Sequence, residues 1–127
     1  MIELTLPWPP SVNHYWMRNK NGSVRICQAG IDFRLAAVAA ARQKGILPGK
    51  PMFTGDVIVH ISAFPPDHRR RDGDNILKCT LDALGTGKKG IEKANVFVDD
   101  CYIQKFTVEK MKPVDKKGFL IVRVESC

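Results

Sequence analysis

The sequence contains no long apolar segment. Its longest run without Lys, Arg, Asp or Glu covers residues 4–17, and three prolines interrupt that run. Because a membrane-spanning helix needs roughly 20 apolar residues, we expect no such helix. The opening stretch, MIELTLPWPP, has an early acid and early prolines and does not resemble a secretory signal. We therefore expect a cytoplasmic protein.

Several motifs of other protein classes are also missing. The four cysteines form no C-x-x-C pair, and no histidine lies at zinc-ligand spacing from any of them. Free thiols in a reducing compartment are therefore expected, and a zinc site is not. The sequence has no P-loop, no dinucleotide fingerprint and no arrangement of a serine or cysteine nucleophile.

Positive charge is in excess, with 20 Lys and Arg against 13 Asp and Glu in 127 residues, a net charge of +7. This balance favours a polyanionic partner, most simply nucleic acid, although an ordinary basic protein accounts for it equally well. Residues 64–127 hold 13 basic and 10 acidic residues. The second half of the chain is therefore dense in both signs of charge.

The periodicity predicts one α+β domain over residues 1–127, with a mixed β-sheet and two main helices on one of its faces. An Asn21-Gly22 pair indicates a hairpin turn. We expect the last two long strands to form a hairpin with each other. The predicted strands cover 2–6, 56–64, 96–111 and 119–125, and the predicted helices cover 30–44 and 74–85.

The stretch RRRDGDN, residues 69–75, places two acids one glycine apart at the start of a predicted helix. Either acid could cap that helix, but a second acid adds little to a cap. The two carboxylates of Asp72 and Asp74 could instead converge on one magnesium ion, with Gly73 letting the backbone bend between them. Lys78, four residues after Asp74, shares its helix face and could stabilise negative charge developing on a phosphate.

A third acid would complete such a metal site. Asp99 and Asp100 precede a predicted strand, and in extended chain their side chains would point to opposite faces, so we expect only one of them to take part. Cationic side chains nearby would hold the flanking phosphates of a nucleic acid. The candidates for that contact are Arg69, Arg70, Arg71, Lys88 and Lys89.

Three segments together resemble the RusA family of Holliday junction resolvases, small endonucleases of phage and prophage origin. These segments are LPWPPSVNHYW, RRRDGDNILKCTLDAL and VDDCYI, and the resemblance extends over nearly the whole chain. The connection GTGKKGIEKANVF looks longer than the usual one in the family.

The resemblance implies a specific activity. Family members are homodimers that bind four-way DNA junctions and nick two strands of like polarity, with Mg²⁺ or Mn²⁺ as cofactor. The essential acids of the family match Asp72, Asp74 and Asp100, and its important lysine matches Lys78. The resemblance thus selects Asp100 over Asp99, a choice that the spacing leaves open. Which surface joins two chains is also open, with the alanine-rich helix and the first strand as candidates.

Two other function classes are compatible with the residue types. In a non-catalytic nucleic-acid-binding module, the acids would be helix caps and salt-bridge partners, and a chelator would not affect binding. A metal-dependent phosphohydrolase would turn over small nucleotides without branched DNA, and the net charge argues mildly against it.

Overall fold

The structure is a computed structural model that describes residues 1–11, 16–87 and 92–127. A 3₁₀ turn, Asp100–Tyr102, directly precedes one of the strands. The described helices and strands are, in chain order, β1 (Ile2–Pro7), β2 (Trp16–Arg18), β3 (Val24–Ile26), α1 (Gln28–Gln43), β4 (Val57–Phe64), α2 (Gly73–Leu84), β5 (Ile103–Lys110) and β6 (Phe119–Ser126).

Four strands form a mixed sheet in the order β1-β6-β4-β5. Strand β6 is antiparallel to both of its neighbours, β1 and β4. Strands β4 and β5 are parallel to each other, and α2 lies in the connection between them. The mixed sheet is confirmed, but the prediction that the last two strands pair with each other is wrong. The reason is that β5 takes the outer position beside β4, and β6 then returns between β1 and β4.

One face of the sheet carries the hydrophobic core, and both helices pack on that face. Fully buried side chains alternate along each inner strand, which confirms the predicted single covered face. The opposite face of β4 is only half-buried at Ile58, His60 and Phe64, so β4 is covered less completely than its apolar sequence suggests. No helix within the described ranges is long and apolar enough to cross a membrane.

The two helices form close to where the periodicity places them. The helical period predicts a buried stripe of Phe33, Ala37 and Ala40 or Ala41, and helix α1 buries Phe33, Ala37 and Ala41. Gly45 follows the end of the helix with φ 85°. Helix α2 buries a face that includes Ile76, Cys79 and Ala83, while Leu77 and Leu81 are only half-buried at its border. The helical period predicts one apolar stripe of Leu77, Leu81 and Leu84, and of these three only Leu84 is fully buried.

The connection between α2 and β5 is held firmly at its second half. Ala94, Val96 and Phe97 have no exposed surface. The backbone N–H groups of Ala94 and Val96 donate to the carbonyls of Ala83 and Leu84 at the end of α2, at 3.0 and 2.9 Å. This anchoring fixes the point from which the chain enters β5.

Candidate active site

The start of α2 presents two carboxylates to solvent. Asp72 is the N-cap residue, with extended backbone angles, and in the described chain its side chain makes no capping hydrogen bond. Asp74 lies in the first turn, and both side chains are exposed. The cap interpretation thus explains the position of Asp72 but does not occupy its carboxylate, which remains accessible to a ligand.

Gly73, between the two acids, does not bend the chain as predicted. It is the first residue of α2 and is not among the residues with positive φ. A methyl group added there would meet Val108 of β5 at 3.7 Å, an ordinary contact. The glycine is therefore not needed for the turn, but its position shows that α2 begins directly over the end of β5.

Asp67 organises the segment before α2, residues 65–72, which we call the arginine loop. Its carboxylate accepts hydrogen bonds from the backbone N–H of Arg69 at 2.9 Å and from the Arg69 guanidinium at 3.2 Å. It also lies 2.8 Å from the Arg71 guanidinium. The hydrogen bond from Arg71, followed by that from the Arg69 backbone, holds the pKa of Asp67 well below its usual range.

The three arginines differ in their environments. Arg71 is 22% exposed, lies with its guanidinium 5.4 Å from the centre of the Trp8 ring, and has its carbonyl bonded by the Lys110 ammonium at 3.2 Å. The Arg69 side chain is 83% exposed, and Arg70 is also exposed. Arg71 is therefore used to hold the loop against the protein, whereas Arg69 and Arg70 are accessible to an anion.

A cleft of about 780 Å³ opens beside the arginine loop. Asp72 and Asn75 of the helix start line one side of it, and Trp8 and neighbouring prolines line another. Its cationic lining consists of Arg69, Arg70, Arg71, Lys110 and Lys112. The cleft therefore combines a carboxylate with several cations and an apolar wall, a chemistry that suits a phosphate-bearing strand.

The base of the arginine loop is packed tightly against the turn before β6. Gly118 in that turn has φ 74°, and a Cβ added to it would lie 2.8 Å from Cδ of Pro66. Neither the backbone angle nor the available space admits a side chain there. This contact holds the base of the arginine loop close to the turn before β6.

Asp99 and Asp100 lie in a second exposed region, residues 99–102, which we call the aspartate turn. Asp99 caps the 3₁₀ turn, and its carboxylate accepts a hydrogen bond from the Asp100 backbone N–H at 2.7 Å. A hydrogen bond between the two carboxyl groups lowers the pKa of Asp99 and raises the pKa of Asp100. The prediction that these side chains point to opposite faces is wrong, because the residues form a turn and not extended chain.

The two acidic regions lie at opposite ends of β5. Asp72 and Asp74 lie beside the carboxyl ends of β4 and β5, and the aspartate turn precedes the amino end of β5. No group of three or more His, Cys, Asp or Glu side chains in residues 1–11, 16–87 and 92–127 is arranged to hold a metal ion. One chain thus brings Asp72 and Asp74 to one region and leaves Asp100 in the other.

The remaining predicted residues fall into two groups. Lys78 is exposed on α2, and no salt bridge within the described part of the chain joins it to Asp74. Lys88 and Lys89 lie outside the described residues. Their predicted contacts with phosphates, like that of Lys78, stay predictions.

Sequence reasoning missed Asp67, Lys110 and Lys112. Asp67 was signalled by its spacing of two and four residues from Arg69 and Arg71, which allows one carboxylate to bind both. Lys110 and Lys112 had no local signal, since only the parallel pairing of β4 with β5 brings them to the cleft.

Comparison with known proteins identifies relatives along almost the whole chain. A family described as "Endodeoxyribonuclease RusA" matches residues 7–125. The chain is 36% identical over 117 residues to a protein of Enterobacteria phage 82 named "Crossover junction endodeoxyribonuclease rusA". It is 35% identical over 117 residues to the protein of that name from Escherichia coli strain K12. Each alignment covers 92% of this chain and 88% of the relative.

Proposed function

Since the chain belongs to the endodeoxyribonuclease RusA family, we propose that it resolves four-way DNA junctions by hydrolysing one phosphodiester bond in each of two strands of like polarity. Enzymatic cleavage of DNA at crossover junctions is the activity in the names of its relatives. The paired nicks, a homodimer and a requirement for Mg²⁺ or Mn²⁺ are parts of the proposal.

The observation that carries the proposal is the position of Asp72. Its carboxylate is exposed at the helix start, makes no capping bond in the described chain, and lines a cleft rich in arginine and lysine. In a binding module, an acid at this point would repel the phosphates that the arginines attract. In a metal-dependent nuclease the same acid has a function, because a bound divalent ion joins carboxylate to phosphate.

In this proposal, the residues near the cleft and on α2 have separate roles. Arg69 and Arg70 would bind phosphates beside the cleavage point, and Arg71 would keep the loop and the helix start in place. Lys78, on the outer surface of α2, would stabilise negative charge on the cleaved phosphate. A bound Mg²⁺ would supply Lewis acidity and an activated water. Asp72 and Asp74 of one chain can offer only part of its ligand set.

The test is a nicking assay on a synthetic mobile four-way junction with and without Mg²⁺. We expect Asp72→Asn and Asp74→Asn each to lower the nicking rate at least about 100-fold, beyond the upper limit for residues that merely support a metal ligand. Asp32→Asn, an exposed acid on α1, is the matched control and should cut like the parent. Undiminished nicking by either variant, or by the parent in chelator, contradicts the proposal.

A further inference from the structure

The connection between β5 and β6 concentrates positive charge. Residues 110–118 contain four lysines and one acid. The lysines are Lys110, Lys112, Lys116 and Lys117. All four are exposed, and within the described part of the chain none of them takes part in a salt bridge. Like charges held close together repel each other, and a bound polyanion removes that repulsion.

The one acid of this connection, Asp115, does not neutralise the lysines. Its Oδ1 atom accepts hydrogen bonds from the backbone N–H groups of Lys117 at 2.9 Å and of Gly118 at 2.6 Å. The carboxylate is therefore used to close the turn, and the ammonium groups remain accessible to an external anion. We call residues 111–118 the lysine turn.

The backbone of the lysine turn is fixed at both ends. At its start, the Met111 N–H donates to the carbonyl of Ala63 near the end of β4, at 2.8 Å. At its end, Gly118 has φ 74° and packs against Pro66. Binding an anion to this turn would therefore order lysine side chains on a backbone that is already in place, which lowers the entropic cost of binding.

The lysine turn continues the cationic lining of the cleft. Lys112 lines the cleft together with Arg69 and Arg70. The contact between Gly118 and Pro66 places the other end of the turn beside the base of the arginine loop. A DNA strand that lies in the cleft must also continue outside it, and on this side it would meet the lysine turn.

We propose that the lysine turn is a second phosphate-binding surface, which holds the DNA backbone just outside the cleft through Lys112, Lys116 and Lys117. This inference rests on the proposed function for the identity of the ligand. Lysine suits such a contact because its compact charge binds a phosphate without a fixed geometry. Contacts of this kind position the duplex and do not read its sequence. Lys110 has another role, since its ammonium bonds the carbonyl of Arg71 at 3.2 Å.

The first experiment measures binding of a labelled four-way junction by fluorescence anisotropy, between about 50 and about 200 mM salt and with a chelator present. Each lost phosphate contact should reduce the slope of log affinity against log salt by about 1 for each bound chain. We therefore expect a reduction of about 1 for Lys112→Gln and of about 2 for the double variant Lys116→Gln, Lys117→Gln. Parent slopes in both variants overturn the proposal.

Two controls separate the site from net charge and from the shape of the turn. The double variant Lys44→Gln, Lys50→Gln removes the same charge from exposed lysines on either side of Leu47, whose carbonyl is bonded by Asn95 beyond the end of α2. Val114→Gln alters a 69% exposed side chain of the lysine turn without removing charge. Both controls should keep the parent slope. If either lowers it as much as Lys116→Gln, Lys117→Gln does, the proposal is overturned.

The second experiment uses the unaltered chain, so that folding of a variant is not in question. Lysines are acetylated briefly with and without the junction, and the modified positions are identified by mass spectrometry. Bound DNA should protect Lys112, Lys116 and Lys117, whereas Lys44 and Lys50 should react equally in both samples. Acetylation of the lysine turn that the junction does not slow would contradict a phosphate contact there.

The outcomes distinguish this surface from the proposed function. A parent chain that binds and nicks the junction, with a lysine turn that changes neither the salt slope nor the acetylation, overturns the second surface and leaves the proposed function standing. A parent chain that binds the junction through the lysine turn but nicks no strand in Mg²⁺ overturns the proposed function and leaves the surface standing.

Discussion

The arginine loop and the aspartate turn each hold two aspartates and each lie at an end of β5, yet their charges are arranged differently. In the arginine loop, Asp67 pairs with Arg69 and Arg71, so that one acid neutralises cations while Asp72 stays available. In the aspartate turn, two carboxyl groups bond each other. The loop therefore pairs its acid Asp67 with cations and leaves Asp72 accessible, whereas the turn pairs one acid with another.

The largest expected effect comes from substitutions in the aspartate turn. Asp100→Asn should lower junction nicking at least about 100-fold if Asp100 is the third acid. Asp99→Asn should cost less than about tenfold, because its amide oxygen can still accept the hydrogen bond from the Asp100 backbone that shapes the turn. Single-turnover nicking assays with saturating enzyme measure both. An equal loss in the two variants would assign the role to the pair and not to Asp100.

Two substitutions in the arginine loop distinguish an arginine that is accessible to DNA from the arginine that holds the loop in place. Arg70→Gln should weaken junction binding and reduce the slope of log affinity against log salt by about 1, with no change in melting temperature. Arg71→Gln should also lower the melting temperature by a few degrees, because the contacts with Asp67 and Trp8 are lost. Fluorescence anisotropy over a range of salt and differential scanning calorimetry measure the two effects. Identical behaviour would show that Arg71 does not hold the loop.

Acid should loosen the arginine loop through Asp67. The pKa of Asp67 is lower in the folded chain than in the unfolded chain, so its stabilising contribution is present above the unfolded value, about 4, and is lost as pH falls towards the folded value. Asp67→Asn should therefore reduce the melting temperature near neutral pH and flatten its decline on acidification. Calorimetry from about pH 6 to about pH 3 measures this. A variant whose melting temperature falls in parallel with that of the parent contradicts the assignment.

The smallest expected effect concerns the thiols of the two regions. Burial raises the pKa of Cys79, on the inner side of α2, to about 11, whereas Cys101 in the aspartate turn is exposed. Because the thiolate is the reactive form, Cys101 should be alkylated at pH 8 well before Cys79. Mass spectrometry after timed iodoacetamide treatment shows the order. Equal rates would mean that α2 opens as easily as the turn.

Local sequence signals predicted the elements of this protein well. The Asn21-Gly22 turn, the alanine-rich helix and the strand containing Val57, Val59 and Ile61 all form where expected. Each of these depends on contacts between residues close in sequence or on the side-chain period of one element. The acids Asp72 and Asp74 were proposed for the same reason, since they lie two residues apart, and the structure leaves both carboxylates exposed.

The predictions that were wrong concerned the arrangement of strands and helices in space. Pairing of β5 with β6 was predicted from their proximity in the sequence, but α2 connects β4 to β5 by a crossover that makes those two strands parallel neighbours. That crossover separates Asp100 from Asp74 by the length of a helix. The spacing of acids along a sequence carries no information on this distance, and residue types alone suggested a convergence that one chain does not make.

The contact between Gly118 and Pro66 has a consequence for genetics. Gly118 cannot acquire a side chain without pushing on Pro66 at the base of the arginine loop and on the carbonyl of Phe64 at the end of β4. Substitution of Gly118 should therefore yield temperature-sensitive alleles. In these, we expect the chain to fold at low temperature and the arginine loop to unfold first on warming. Such alleles would give an inactive but folded protein on demand, a tool for timing its action in the cell.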